Sequence, residues 1–424
     1  MTRPTARGLS LLVVAIATYL AARILGTWEL YLLSFAFVAA LFVSWVLVLG
    51  GGRKLSVVRT LTPEQPVAGD SLLVSFRLKS GSLLPGLQVR LPHAAGDLGE
   101  RDGTVDFESL GPRAERVATS GPWPARRGVH RLPELLAVAE DPLGLVRVRR
   151  RLDGAAEFTV FPRLTPLRSC ALLPGNGQRR EISRGRLAAL GGYEFRGIRP
   201  HNPGEPLSHV DWKSTAKTGT LMLRETEDPA SSDVTLLLEG AASSVVGELP
   251  ETNFELAIEV AGSIAAFALR TGRGVSLLLH ERGWGQERLT ADTSGHQRLL
   301  ESLARAEPHG TLRLGPSLRM LLAGSGSRLR AQVLRTHSLT LVVLSLDREL
   351  VRSVIALREE GRQVSVVHVA PDAFTSAPPA AESRNLALAL TSAGVPCLTV
   401  DRGDDLGGVL SLPLREGLYA RPGR

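Results

Sequence analysis

Residues 9–25 and 30–49 are two apolar runs with only Gly26, Thr27, Trp28 and Glu29 between them. The first carries a single charge, Arg23, and the second carries none. At about 1.5 Å of rise per helical residue, the second run matches the roughly 30 Å hydrocarbon core of a bilayer. So short a connection predicts a transmembrane helical hairpin over residues 1–54, making this a two-span, multi-pass membrane protein. Arg3 and Arg7 precede the first span, and Arg53, Lys54 and Arg59 follow the second. By the positive-inside bias both ends lie in the cytoplasm, as does everything after them. Arg23 can extend its apolar stem and hold its charge at the far interface beside Trp28. The alternative is a cleaved signal peptide. No small-x-small site lies between the two runs, and the second is too long for a signal core.

From residue 55 to 167 the pattern changes to short extended runs broken by Gly and Pro: 72–78, 86–91, 103–107, 129–132, 135–139 and 158–161. Such spacing predicts an antiparallel β-sandwich (Ig-like). The basic run Arg147 to Arg151 has two readings, a lipid-headgroup or partner site, or a solvated hairpin tip. Residues 168–232 read as a linker. Over 233–412, apolar runs at 234–238, 275–279, 339–346 and 364–369 alternate with helical periods at 254–270, 296–306, 316–335, 349–360 and 382–393. Near-continuous apolar runs mark parallel strands buried on both faces, so this part is expected to be a doubly wound α/β domain. In such sheets ligands sit beyond the carboxyl ends of the strands. Residues 413–424 form a tail.

Charge excludes one class of partner. The chain holds 50 Lys plus Arg against 42 Asp plus Glu, a formal +8, but only Lys54, Lys79, Lys213 and Lys217 are lysines. The arginines are scattered and form no basic stripe interleaved with aromatics, so no nucleic-acid groove is expected. An anionic membrane face suits the balance better. Cys170 and Cys397 lie too far apart in sequence to suggest a disulfide framework or a metal knuckle, and point to a reducing compartment.

The stretch 192–217 has no amphipathic period. Aromatics, charges and turn residues crowd into it, with His201, Asn202, Pro203 and Gly204 spelling a turn. Val210 to Lys213 reads as a short extended piece, and Ser214 to Lys217 as the opening of a helix or a second turn. Glu194-Phe195, Arg199-Pro200, Pro203-Gly204, Asp211-Trp212-Lys213 and Ala216 together resemble the signature of the domain of unknown function 58 family. Glu205, His201, Ser208 and Lys217 depart from the residues usual there. The resemblance implies a membrane hairpin, a sandwich-like domain, this block, and a von Willebrand factor A-like α/β domain. Glu194, Phe195, Arg196, Arg199, Gly204, Glu205, Asp211, Trp212, Lys213 and Lys217 are the expected interaction residues, since Trp and Arg concentrate binding energy at interfaces. The other reading of Trp212 is an indole packed between domains.

A von Willebrand A-like fold implies a divalent cation held by Asp-x-Ser-x-Ser after the first strand, a loop Thr and a strand-end Asp. Here the matching stretch is Glu239-Gly240-Ala241-Ala242-Ser243, with Thr311 and Asp347 in the other two places. Glu239 is one methylene longer than Asp, and Ala241 supplies no oxygen. The candidate set Glu239, Ser243, Thr311 and Asp347 is therefore degenerate, and no cofactor is expected, because Mg²⁺ demands near-octahedral oxygen ligation. The chain has no Walker A loop, no G-x-S-x-G elbow and no H-E-x-x-H. His201, His209, Asp211 and Ser214 could be gathered into an acid–base set, but nothing in the sequence orients them. The expectation is a non-enzymatic, membrane-anchored adaptor, which by the resemblance works with a MoxR-type AAA+ ATPase in assembling or remodelling other complexes. The competing class is a cation-dependent or hydrolytic enzyme using the strand-end crevice.

Overall fold

The structure is a computed structural model and describes residues 2–52, 55–80, 87–91, 105–110, 115–132, 134–152, 155–173, 194–200, 210–227, 233–324, 328–336, 338–375 and 381–411. Two compact units divide the chain, Met1–Phe161 and Pro162–Arg424.

The first unit begins with a short strand, β1 (Thr2–Pro4), and the hairpin α1 (Ala6–Leu25) and α2 (Trp28–Gly52). Thr5 caps α1, its hydroxyl accepting from the Gly8 amide at 3.1 Å. Gly26 ends it in the left-handed region at φ 71°, where its amide donates to the Ala22 carbonyl, a conformation that favours glycine. Gly8, Ala15 and Ala22 are the buried residues of α1. Small side chains let helices approach closely, and the Ser34 hydroxyl of α2 donates to the Ala15 carbonyl at 2.8 Å. Tyr19 and Tyr31 meet edge to face near the turn.

Among the described residues of this unit there are ten strands. The others are β2 (Leu55–Thr62), β3 (Ser71–Ser80), β4 (Leu87–Leu91), β5 (Val105–Leu110), β6 (Glu115–Pro124), β7 (Gly128–Leu132), β8 (Leu135–Glu140), β9 (Val146–Leu152) and β10 (Ala156–Val160). They form a three-stranded sheet β2-β3-β6, a five-stranded sheet β1-β9-β8-β4-β5, and a ribbon β7-β10, all antiparallel. Alternate residues of both larger sheets, among them Val74, Phe76, Leu78, Val89, Leu91, Leu135, Ala137 and Ala139, share one core. This is the period-2 burial expected of facing antiparallel sheets.

Two expectations change here. The hairpin is part of this unit rather than a separate domain, because Val48 of α2 lies in the shared core and Leu11 and Leu41 pack against it. The Arg147 to Arg151 run is no hairpin tip. It lies within β9, paired to β8 from Glu140↔Arg147 to Leu136↔Arg151, because Val146 and Leu152 are the buried ends of the strand that carries it. The tip is Asp141 to Leu145.

The second unit begins at Pro162, so residues 162–167 leave the expected sandwich domain, and 168–173 are not linker. Leu167, Cys170, Leu172 and Leu173 belong to the α/β core. A hairpin, β11 (Glu194–Pro200) with β12 (Met222–Glu227), flanks helix α3 (Trp212–Thr218). The main sheet contains β13 (Val234–Glu239), then, beyond a short ribbon β14 (Gly247–Glu248) and β15 (Glu251–Thr252), β16 (Val275–His280), β17 (Trp284–Leu289), β18 (Ser338–Val343), β19 (Gln363–Val369) and β20 (Cys397–Val400). Its order is β17-β16-β13-β18-β19-β20, parallel except for the edge strand β17.

Helices α4 (Asn253–Arg270), α5 (Thr293–Arg305) and, at the chain's end, α10 (Leu406–Ser411) cover one face; α6 (Leu314–Ala323), α7 (Arg328–Arg335), α8 (Arg348–Glu359) and α9 (Ala381–Ser392) cover the other. The doubly wound α/β expectation holds. The helix expected over 316–335 is two helices, the first ending at Gly324. No strand is expected from the sequence at β17, an edge strand whose middle, Gln286 to Arg288, is polar.

Candidate functional site

Strand order reverses at β13, since the chain passes from it to β16 on one side and later to β18 on the other. The crevice outside the carboxyl ends of β13 and β18 is therefore the place where this architecture binds ligands. Glu239 closes β13 and is wholly buried. Its Oε2 accepts from the amides of Leu344 (2.8 Å) and Ser345 (3.2 Å), and its Oε1 from the hydroxyls of Ser244 (2.9 Å) and Ser345 (3.3 Å). Ser244 and Ser345 also bond each other at 3.0 Å. Burial pushes the Glu239 carboxyl above the ordinary carboxylate range, and these donors pull it back only in part. The side chain thus ties the end of β13 to the loop leaving β18.

Backbone fills what remains of the crevice mouth. The Gly310 amide donates to the Gly240 carbonyl at 2.7 Å, and the Ala242 amide to the Gly310 carbonyl at 2.9 Å. A Cβ on Gly240 would lie 2.5 Å from the His280 carbonyl oxygen, so only glycine admits this approach.

The four candidate cation ligands do not converge. A carboxylate has about four acceptor positions, and all those of Glu239 are met by protein donors. Ser243 is exposed, and the neighbouring Ser244 makes the contact instead. Thr311 is exposed. Asp347 caps α8, accepting from the Leu350 amide at 2.7 Å, while Gly315 of α6 approaches so closely that a Cβ there would overlap its carboxylate. Among the described residues no group of three or more His, Cys, Asp or Glu is placed to hold a metal. A divalent cation does not fit this arrangement.

Sequence reasoning missed two other residues at the same edge. His280 ends β16 in register with Glu239, its Nε2 lies 2.9 Å from the Ser317 hydroxyl, and its ring packs against Trp284 at 5.0 Å. Both line a cavity of about 360 Å³ with Thr311, Leu312 and Met320. A Ser–His pair suggests nucleophilic chemistry only when a third group orients the imidazole. Here Nδ1 has no partner, and burial lowers the imidazole's affinity for a proton. No sequence signal joined residues 37 positions apart.

His368, two strands from Glu239, is likewise buried and pushed down to about 4 from 6.5 by desolvation. Its folded-state value is depressed, so protons favour the unfolded chain. His368 therefore contributes stability that is whole above pH 6.5 and is lost as the pH falls toward 4. Over that window the expected loss is at most about 3 kcal/mol, at 1.36 kcal/mol per unit. Urea midpoints of the full chain in detergent, compared with His368→Leu across the same range, measure it. Parallel pH profiles would remove His368 from the account.

The 192–217 block is described in part. Residues 192–193 and His201 to His209, hence Gly204, Glu205 and both histidines of the imagined acid–base set, lie outside the described residues. Glu194, Phe195, Arg196 and Arg199 sit on β11, whose pairing to β12 shifts between Phe195 and Gly197, leaving Arg196 as a bulge residue. The expected extended piece at 210–213 is instead a helix start. Asp211 is the N-cap of α3, its carboxylate accepting from the Lys213 and Ser214 amides, both at 3.1 Å, which draws Trp212 and Lys213 into the first turn. The Asp211 amide donates to the Met222 carbonyl, and the Met222 amide to the Thr215 hydroxyl, so α3 is strapped to β12. Trp212 is 69% exposed, and Lys213, Ala216 and Lys217 are exposed with it. Two of the chain's four lysines thus share one short helix with an open indole.

The family resemblance read from the block is matched over part of the chain. The model for "Protein of unknown function DUF58" matches residues 197–370. The uncharacterized protein YeaD of Bacillus subtilis (strain 168) is 25% identical over 278 residues, covering 63% of this chain and 66% of YeaD, just under two thirds of that relative. Among solved structures, a conserved hypothetical protein BatB from Bacteroides thetaiotaomicron aligns with a TM-score of 0.29 at 15% identity, over 42% of this chain and 95% of its own. A von Willebrand factor type A protein from Catenulispora acidiphila aligns with a TM-score of 0.28 at 14% identity, over 44% of this chain and 42% of its own.

Proposed function

We propose that this chain, which carries the DUF58 family's domain, is a membrane-anchored adaptor without catalytic activity whose partner is a AAA+ ATPase of the MoxR type. The observation that carries the proposal is helix α3. What marks this helix is the combination of an exposed indole with two lysines on one short face, Trp being among the residues that concentrate binding energy at interfaces. With Lys213 and Lys217 beside it, the patch has the aromatic anchor and basic rim of a docking site for an acidic partner. The hairpin holds the chain at the bilayer, with the later residues in the cytoplasm, where the ATPase works. The strand-end crevice supports the same reading, because Glu239 is spent on holding β13 to β18 and no cation fits there.

Because Trp212 is exposed, Trp212→Ala is expected to change stability by no more than about 0.5 kcal/mol, as for ordinary surface substitutions. The same change, or Lys213→Glu, is expected to abolish co-purification of the ATPase. A photo-crosslinking residue at position 212 should capture that ATPase in cells, which requires α3 to face the cytoplasm. A Trp212→Ala, Lys213→Glu chain that still binds the ATPase like the parent would end the proposal.

A further inference from the structure

In the first unit the hairpin packs on the β-domain core through Val48, Leu11 and Leu41, and polar contacts fasten it to the β8–β9 turn. Thr5 donates to the Gly144 carbonyl at 2.6 Å, and its amide donates to the Leu145 carbonyl at 3.0 Å. Gly8 lies so close that a Cβ would come within 2.2 Å of the Leu145 oxygen. From α2, the buried Ser44 hydroxyl donates to Asp141 Oδ2 at 3.0 Å. Gly8 lies in the first turn of α1. Ser44 lies inside α2, within its apolar run 30–49.

That placement sets the depth of the turn. Above the contacts of Leu11 and Leu41 with the β-domain core, residues 12–25 and 28–40 rise about 20 Å at 1.5 Å per residue. A hydrocarbon core is about 30 Å thick. The deficit is made up alongside the turn, where the far sides of both helices remain apolar and open. Leu9 follows Gly8 and is 56% exposed, while Val43, Trp45 and Val46 flank Ser44 at 54%, 47% and 40%. Lipid that covers these side chains reaches the level of Asp141 to Leu145. At that level Leu143 projects, 61% exposed, from a turn whose other apolar member, Leu145, is buried. Arg3 and Arg7 are exposed beside it, Arg3 in register with Arg147 and Arg7 against Gly144. Glu140 is paired with Arg147 and Asp141 is buried with its own donors, so the exposed charge around the turn is positive.

We propose that the β8–β9 turn is a membrane wedge: Leu143 enters the acyl boundary of the leaflet, and Arg3 and Arg7 bind the phosphates of anionic phospholipids around it. The β-domain is then seated in the bilayer surface and is no tethered neighbour of it. Leucine at this depth gains from burial, and each arginine near an anionic leaflet gains from the negative surface potential. The inference rests on the hairpin spanning the membrane, as proposed above.

The test uses the full chain in phosphatidylcholine vesicles with and without phosphatidylglycerol. Single cysteines at Leu143, at Phe35 in mid-α2 and at Val117 on β6 carry an environment-sensitive fluorophore, with labelling of the native cysteines subtracted using the unsubstituted chain. Spin-labelled lipids then report depth. The expected result is strong quenching at position 35 by deep labels, quenching and a blue-shifted emission at position 143 by shallow labels, and neither at 117. Phosphatidylglycerol should increase the effect at 143, and an R3E/R7E chain should lose that increase. Quenching at 35 with an aqueous signal at 143 overturns the wedge and leaves the anchor standing. No quenching at 35 overturns both. Quenching at 143 that ignores phosphatidylglycerol overturns the arginine contacts.

Discussion

Glu239→Ala is expected to release the centre of the α/β sheet, at a cost of about 3 to 5 kcal/mol. The change removes the acceptor for two amides and two hydroxyls at once, those of Leu344, Ser345 and Ser244. Each buried donor left unpaired costs about 1 to 3 kcal/mol, and the neighbouring Ser244–Ser345 bond offsets only part of this. Glu239→Gln keeps an acceptor and the side chain's length and should cost about half as much. Amide exchange of β13 and β18 in the full chain, read by mass spectrometry, localises the effect. A pH series adds a second signature. The folded-state Glu239 carboxyl binds its proton more tightly than the unfolded one. Its contribution to stability is therefore whole below the ordinary glutamate range and is lost as pH rises through the folded value. Glu239→Gln should flatten that slope, which runs opposite to the one assigned to His368. If Glu239→Ala exchanges like the parent at β13, the carboxylate is not the staple it resembles.

Asp141→Ala is the second large effect, expected at about 3 kcal/mol and at a different place. The Asp141 carboxylate accepts from the Val146 amide at 2.7 Å, the Leu143 amide at 3.1 Å and the Ser44 hydroxyl at 3.0 Å. It is buried. Two of these bonds shape the β8–β9 turn and the third fastens that turn to α2, so their loss should loosen the turn and the hairpin contact together. Ser44→Ala removes only the third bond and is expected to cost about 1 kcal/mol. Limited proteolysis of the reconstituted full chain separates the two, with Asp141→Ala opening cleavage between Glu140 and Arg147 and Ser44→Ala leaving it closed. Equal protection in both variants would show that the turn holds without the carboxylate.

The errors in reading the sequence have a common cause. Asp211 was legible as a helix cap, since an Asp two and three residues ahead of exposed amides is a usual N-terminus. Reading Val210 to Lys213 as a short extended piece leaves that cap out of account. Ser243 was chosen over Ser244 by matching a spacing, yet the short 3-10 turn at Ala242–Ser244 rotates Ser244 inward. The Arg147 to Arg151 run was judged by its charge, whereas Val146 and Leu152 decided that it would be a strand.

What the sequence determined by itself is everything written in a local period. Two long apolar runs can only be helices that meet lipid or each other, because unpaired backbone groups are costly in both surroundings. Near-continuous apolar runs such as 234–238 and 339–346, short and rich in Val, Leu and Thr, read as strands covered on both faces. The signature block carried the family resemblance without a fold, and that family's model matches residues 197–370. Tertiary structure alone decided the pairs that join distant segments: Ser44 with Asp141, 97 residues apart, and Glu239 with the Leu344 amide, 105 apart. Such bonds depend on how strand register and helix depth bring two elements together, and a periodic pattern fixes which face of an element is buried without fixing what it meets there.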